Sequence, residues 1–552
     1  MSSPGGAVIV ELADVHEDVA HADVAVVGAG FAGIDLAVQL GRRGVRVLLI
    51  EAGRDSFDPA AQDLARFRNV GKPLREPDPE GPHNPYLDPR FRGETRIRQL
   101  GGTSTIWTGK WRLLNPLTFQ QRDWVPGSGW PVSRAELLPF HAEVARDHGI
   151  ADVDTLVDGG ERHPLAAECA AAGIDGSLLH WQASPLRMAE RYRAELRDTP
   201  NVQVLLGATV TELVLDDAHR RVRTVRVASP GGRRADLTAD QVVLATGGLE
   251  PARLLLASYR QVPEGIGNAH GLVGRYFQDH PKTKRAVLRP SPALRGMADW
   301  LATDPLPRDQ LLFGLSLDEQ REHRLLDHAV SVRPVFDYEL DYPAADVIAV
   351  REALRTRSAR GLTAATLARA AAPRTLRQYA GQRVHRRRRG RVAHYATAIY
   401  LEQAPNPESR LRLGPRRDAL GMPELEIDWQ LSPLDHESFA RLQRLLPAAF
   451  ARAGLGELDF GPDELTLSDA GDANHHIGAT RMAARPEEGV VDRDCRVFGT
   501  DNLYIATASV FPTGECATPT FTIMALARRL SAHLLSLRDD DRVTVTSTPG
   551  SR

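Results

Sequence analysis

DVAVVGAGFAGIDLAVQLGRRGVRVLLIEAG, residues 23–53, decides the fold. A β-branched apolar run leads into a glycine turn, then a helical period, then a second apolar run, and that order is a βαβ unit. Gly28, Gly30 and Gly33 form GxGxxG at the junction of strand and helix, with Phe31 inside the loop. Gly28 permits the tight turn, Gly30 lets backbone approach a pyrophosphate, and Gly33 lets the helix sit close to the sheet. The helix N-terminus then receives the phosphate charge. Glu51 closes the second strand, where a carboxylate accepts hydrogen bonds from an adenosine ribose and repels a 2′-phosphate, so NADP is disfavoured. The loop alone does not separate FAD from NAD.

Outward from this unit, VQVLLGATVTELVL (202–215) and ADQVVLATGGLE (239–250) read as strands that return to the same sheet. The stretch 54–100, rich in Pro, Arg and Asp, reads as a covering loop. From about 283 to 430 the pattern alternates, as in HAVSVRPVFDYEL and HYATAIYLEQAP, which predicts an antiparallel sheet. FARLQRLLPAAFARAGL reads as an amphipathic helix, and the chain then runs through NLYIATASVF into a last helix, TPTFTIMALARRLSAHLL. The expected architecture is α/β. A Rossmann-like domain is built from 20–283 and 465–535, and a second, α+β domain on an antiparallel sheet spans 284–464.

With 552 residues the chain exceeds a single small binding module. Lys+Arg 69 against Asp+Glu 71 gives a net charge of −2, which offers nucleic acid and anionic lipid no global attraction. One segment departs from that balance: residues 351–390 hold twelve arginines and one acid, Glu352. A solvated helix pair on the chain's own acidic surface, an anionic substrate, and a protein or membrane contact are all compatible with it. Tyr379 is the one Phe, Tyr or Trp in that segment, too few to interleave for nucleic-acid stacking. Three cysteines, Cys169, Cys495 and Cys516, encode neither a disulfide framework nor a thiolate metal site. No apolar run of membrane-spanning length occurs, and the expected location is the cytoplasm. HExxH and GxSxG are both absent from the sequence, so no metal centre and no serine nucleophile is expected.

The C-terminal text carries more. NHHIGATRM (474–482), VVDRDCRVFGTDNLYIATASVFPTG (490–514) and ATPTFTIMALARRL (517–530) resemble the ending of the glucose-methanol-choline (GMC) oxidoreductases. GGTSTIWTGKW (101–111), WPVSRAELLPF (130–140), ATGGLEPARLLLAS (245–258), VGRYFQDHP (273–281) and EQAPNPESRLRL (402–413) are similar to further blocks of that family, in order. The resemblance implies FAD, contacted by Gly101, Gly102, Thr103, Ser104, Ile106, Trp107, Val210, Ala245, Ala508, Ser509, Pro519 and Thr520 as well as by the first loop. It implies oxidation of a CH–OH group, with a hydride passing to the flavin and a proton to a histidine base. Alignment through Gly478, Arg481 and Met482 places His475 on the family's base, with His476 beside it as the alternative. Where the family has Asn or His before the Pro of the last helix, this chain has Thr518, whose hydroxyl can bond a substrate oxygen but carries no positive charge. Some sugar-oxidising relatives attach flavin covalently through a histidine at the position of Ile106. Isoleucine has no nucleophile, so non-covalent FAD is expected. The blocks are most similar to the sugar-oxidising, pyranose oxidase-like branch, which implies an alcohol or sugar substrate and O2 or another electron acceptor. A non-sugar alcohol or polyol, a redox-neutral lyase, and an electron-transfer subunit docking through 351–390 stand as alternatives.

Overall fold

The computed structural model describes residues 9–15, 21–74, 96–150, 164–182, 185–283, 286–303, 310–336, 392–461, 466–516 and 518–546, with 347, 350, 354, 363–373 and 375–377 between them. A six-stranded parallel sheet runs in the order Ile9–Glu11, Val202–Leu206, Val47–Ile50, Ala22–Val27, Ala239–Leu244, Leu503–Ile505. Its central strands are apolar on both faces because both faces are covered, as parallel sheets require. The helix Phe31–Arg42 and the long C-terminal helix Thr520–Thr546 pack together on one face, where Ile34, Leu36 and Val38 share a core with Phe521, Met524 and Leu530. The last helix thereby returns the C-terminal motifs to the first loop.

A second sheet, antiparallel throughout, has the order Lys282–Thr283, Val392–Leu401, His328–Phe336, Gln310–Leu315, Ile174–Trp181, Lys110–Trp111. The helix Pro433–Arg452 covers one face, setting Phe439, Leu442, Leu446 and Phe450 against Phe313, Val330 and Ile399. It begins at a capping box of Ser432 and Asp435, with Pro433 at its first position.

Three expectations are corrected. Thr209–Leu215 does not join the parallel sheet with Val202–Leu206. It turns at Gly207 (φ +62°) into a separate antiparallel sheet with Val222–Ala228 and Arg234–Leu237. The stretch 54–100 holds more than loop, since Pro59–Asp63 is helical and Phe67–Asn69 pairs in parallel with Pro423–Asp428. The antiparallel sheet also takes Lys110–Trp111 and Ile174–Trp181 from before residue 284, so that boundary divides the sequence but not the sheet. IDGSLLHW, with a glycine and few β-branched residues, gives little strand signal of its own. Of the arginines in 351–390, only Arg369 and Arg377 fall among the described residues.

Candidate active site

The C-terminal ends of the parallel strands and the loops around them line a cavity of about 780 Å³ beneath the first glycine loop. Gly28 (φ +99°) makes the turn, and a Cβ there would stand 2.6 Å from the carbonyl oxygen of Ala245. A Cβ on Gly33 would run into the carbonyl oxygen of Gly28, whereas one on Gly30 would meet nothing within 4 Å. Gly28 and Gly33 therefore serve packing, and Gly30 is left open to the cavity. The Glu51 carboxylate accepts the N–H groups of Ala29 and Gly53, both at 2.9 Å. It fixes the loop while it lines the cavity, and its burial raises its pKa. A cavity of this size, a glycine without a side chain at a helix start, and an acid beside it are what a dinucleotide needs. The residues present fit FAD.

Most of the residues singled out in the sequence converge here: Gly28, Gly30, Phe31, Glu51, Gly102, Thr103, Ile106, Trp107, Val210, Ala245, Ala508, Pro519 and Thr520, together with both histidines, line the cavity. Gly33, Gly101, Ser104 and Ser509 stand behind the wall. Gly101 (φ +97°) donates its N–H to the Ala29 carbonyl, tying the second loop to the first. Ser104 Oγ donates to the Gly101 carbonyl and accepts from the Met188 N–H. Ser509 Oγ is shared with the hydroxyls of Thr480 and Thr507. Trp107 is held edge-on between Phe31 and Trp111.

His475 is half-buried on the cavity wall, with Nδ1 2.7 Å from Nδ1 of His280 and its own N–H donated to Asp279. Burial, then His280, Lys282 and Lys110, hold its pKa well below the usual histidine value. The ring is neutral at physiological pH. His476 faces the other way, its ring 5.9 Å from Phe277 and its Nε2 3.7 Å from the Asp279 carboxylate. Burial and Arg96 keep it neutral as well, at about 3. Asp279, Asp472 and His476 each offer one ligand atom, all within 4.8 Å of one another, the nearest approach to a metal-binding set among the described residues. Three backbone N–H groups already donate to the Asp279 carboxyl, and burial with Asp472 beside it pushes its pKa up to about 8.

Thr518 is buried, and its hydroxyl donates to the Lys110 carbonyl at 3.3 Å, fastening the start of the last helix to the antiparallel sheet. Lys110 brings Nζ 3.4 Å from the Tyr400 hydroxyl, and Lys282 holds Nζ 4.6 Å from the centre of the same ring. Burial pushes the Tyr400 phenol up, but the two ammoniums more than offset it and bring it down to about 8. The loop before the last helix is held by buried Glu515, which bonds the Asn115 N–H and pairs with Arg112 at 3.1 Å.

The sequence reading missed His280 and Asp279, although it quoted their block, and it missed Lys282, Tyr400 and the cavity-lining Arg96 and Arg98. Both arginines pair with Glu250, whose pKa burial would raise but which Arg98, Arg253 and Arg96 together bring down to about 2. None of these sits in a motif with its own spacing rule: Asp279, His280 and Tyr400 fall inside quoted blocks, whereas Lys282, Arg96 and Arg98 fall outside them.

Comparison with known proteins agrees with this geometry. Residues 405–527 match the family described as GMC oxidoreductase, and residues 23–264 match FAD dependent oxidoreductase. The chain is 24% identical to the fructose dehydrogenase large subunit of Gluconobacter japonicus, over 93% of this chain and 98% of that protein. It is 25% identical to paromamine 6′-oxidase of Streptomyces fradiae, over 94% and 92%. The fold is shared with pyridoxine 4-oxidase from "Mesorbium loti", at a TM-score of 0.54 and 20% identity, over 93% of this chain and 99% of that one. The parallel sheet with its glycine loop, the cavity beneath it and the histidine on the cavity wall are one arrangement: the chain belongs to the GMC oxidoreductase family.

Proposed function

We propose that the protein oxidises a CH–OH group of a sugar or sugar-containing small molecule to a carbonyl, with non-covalent FAD as oxidant and His475 as base. The observation that carries this reading is His475 itself, a half-buried neutral imidazole on the wall of the cavity that fits FAD. Bound FAD supplies the hydride acceptor. The chain does the rest. The glycine loop and Glu51 orient the cofactor, and the Thr520–Thr546 helix presents its N-terminal turn to the cavity, where free N–H groups favour negative charge. His475 takes the hydroxyl proton, which its neutral ring is free to accept. Ile106, with no nucleophile, makes apolar contact only. The sugar assignment draws on full-length relatives named for fructose and paromamine. No described helix is long and apolar enough to cross a membrane. The three cysteines are buried free thiols, which suits the cytoplasm.

The test is anaerobic titration of the purified flavoprotein with aldoses, ketoses, glycosides, aminosugars, polyols and simple alcohols, following loss of the flavin colour. Bleaching by sugars or glycosides well ahead of simple alcohols is expected. Bleaching by simple alcohols alone would overturn the sugar assignment, and no bleaching by any CH–OH compound would overturn the reaction. Air against a quinone as reoxidant then identifies the acceptor.

A further inference from the structure

The contact between His475 and His280 is made through the same atom of each ring, Nδ1 to Nδ1 at 2.7 Å, with ring centres 4.9 Å apart and the planes at 77°. A hydrogen bond between two such nitrogens holds one proton, so one ring is the Nδ1–H tautomer and the other presents a bare Nδ1. The choice decides whether His475 can act as a base. If His280 carried the proton, His475 Nδ1 would accept it and His475 Nε2 would bear a hydrogen, useless for abstraction. If His475 carries it, Nε2 is bare.

A base at His475 requires the second arrangement, with a bare Nδ1 on His280. Its ring is 1% exposed, and Nε2 lies against the backbone of Gly514, where a Cβ would come within 3.2 Å of it. Among the described residues no hydrogen-bond partner stands within reach of Nε2, so it is the contact at Nδ1 that ties the His280 tautomer to that of His475. A neutral imidazole with Nε2 protonated has Nδ1 bare. Burial keeps the second proton off, holding His280 at about 4. The main chains are fixed too. One carboxyl group, Asp279, takes the His280 N–H at 2.6 Å and the Ala473 N–H at 2.9 Å on Oδ1, and the His475 N–H at 3.1 Å on Oδ2. Asp279 is itself located by its N–H to Gln403 Oε1, an oxygen that also accepts from the Trp429 indole. The backbone at both histidines is therefore held by one buried acid.

We propose that His280 is a positioning residue for the reaction: its Nδ1 accepts the Nδ1 proton of His475 and leaves His475 Nε2 bare toward the cavity. This rests on His475 being the base, and the test separates the two claims. Magnetic resonance of the flavoprotein, with histidine labelled by a spin-active nitrogen isotope and the His475 signals assigned from a His475→Gln variant, reads the tautomer directly without substrate. His475 should carry its proton on Nδ1 in the parent enzyme. It should become a tautomer mixture in His280→Leu and return to Nδ1–H in His280→Asn, whose amide oxygen takes the place of Nδ1. In parallel, flavin reduction by the best sugar of the screen should slow about 10- to 100-fold in His280→Leu with KM nearly unchanged, and recover in His280→Asn. A parent enzyme with His475 protonated on Nε2, or a His280→Leu variant with His475 still wholly Nδ1–H, overturns the inference whatever the activity. A tautomer that shifts while reduction stays within about threefold overturns His475 as base, and His280's role with it.

Discussion

Gly28 and Gly30 are two residues apart, and their substitution should fail in different ways. At Gly28 an alanine would hold φ near +99° and set its methyl carbon 2.6 Å from the Ala245 oxygen, a backbone atom that moves only with its strand. Left-handed backbone costs a non-glycine residue about 1–2 kcal/mol, and overpacking a tight site costs about 1–3 kcal/mol more. Gly28→Ala should therefore lose roughly 2–5 kcal/mol, visible in the apoprotein as a fall of several degrees in melting temperature. At Gly30 the backbone is extended (φ −91°, ψ −154°) and the added carbon meets nothing within 4 Å. The Gly30→Ala apoprotein should melt like the parent. Its methyl group, however, occupies the approach to the helix N-terminus. Loss of one charge-assisted contact there, about 1.5–3 kcal/mol, weakens FAD roughly 10- to 150-fold. Melting curves with and without added FAD, together with a flavin fluorescence titration, give both quantities. A Gly30→Ala protein that binds FAD within twofold of the parent would refute the assignment of this loop to the pyrophosphate. An apoprotein destabilised as much as Gly28→Ala would refute the division between packing and cofactor.

Four further outcomes follow. His475→Ala should keep flavin and fold but slow flavin reduction by about two to four orders of magnitude. Thr518→Ala should lose only one neutral hydrogen bond, about 0.5–1.5 kcal/mol, because its hydroxyl is turned to the Lys110 carbonyl; stopped-flow reduction compares them, and equal losses would place Thr518 in the proton transfer. Acid precipitation should release FAD into the supernatant, since Ile106 offers no attachment, and a washed pellet that stays yellow would contradict this. Stability should peak between about pH 6 and 7. Burial holds His141, His148, His280 and His328 at about 4 and His476 at about 3, so the unfolded chain binds more protons than the fold below the ordinary histidine pKa, and stability falls toward acid. Above it the sign reverses. Asp279 and Glu515, pushed up to about 8 by burial and by neighbouring carboxyls, keep protons that the unfolded chain has already lost, so stability falls again up to about pH 8. Melting temperatures across pH 4.5–8.5 check both limbs, and a steady rise to pH 8.5 would exclude the alkaline one.

The parts of this molecule that were legible in the sequence are those where backbone geometry constrains residue type over a short span. Gly28 must be glycine because φ is positive and a carbonyl lies 2.6 Å from the vacant position, and the run VAVV must be apolar because the strand is covered on both sides. Such constraints are local, so they leave motifs. The division of labour at the active site is not local. His280 and His475 are 195 residues apart and meet where Gln278 and Ile477 pair as an isolated β-bridge, which lets Asp279 accept the backbone N–H of both histidines. Lys282 reaches Tyr400 because the short strand Lys282–Thr283 pairs with Val392–Leu401 in the register Lys282 to Tyr400. A side chain recruited through pairing between distant strands needs no particular neighbours in the chain, and so leaves no spacing to read. Thr518 shows the converse limit. Its position before Pro519 suggested a substrate contact, but the direction of its hydroxyl is set by the Lys110 carbonyl, on a strand whose IDGSLLHW partner gave little signal. Sequence position singled the residue out, and the tertiary pairing determined what its oxygen bonds.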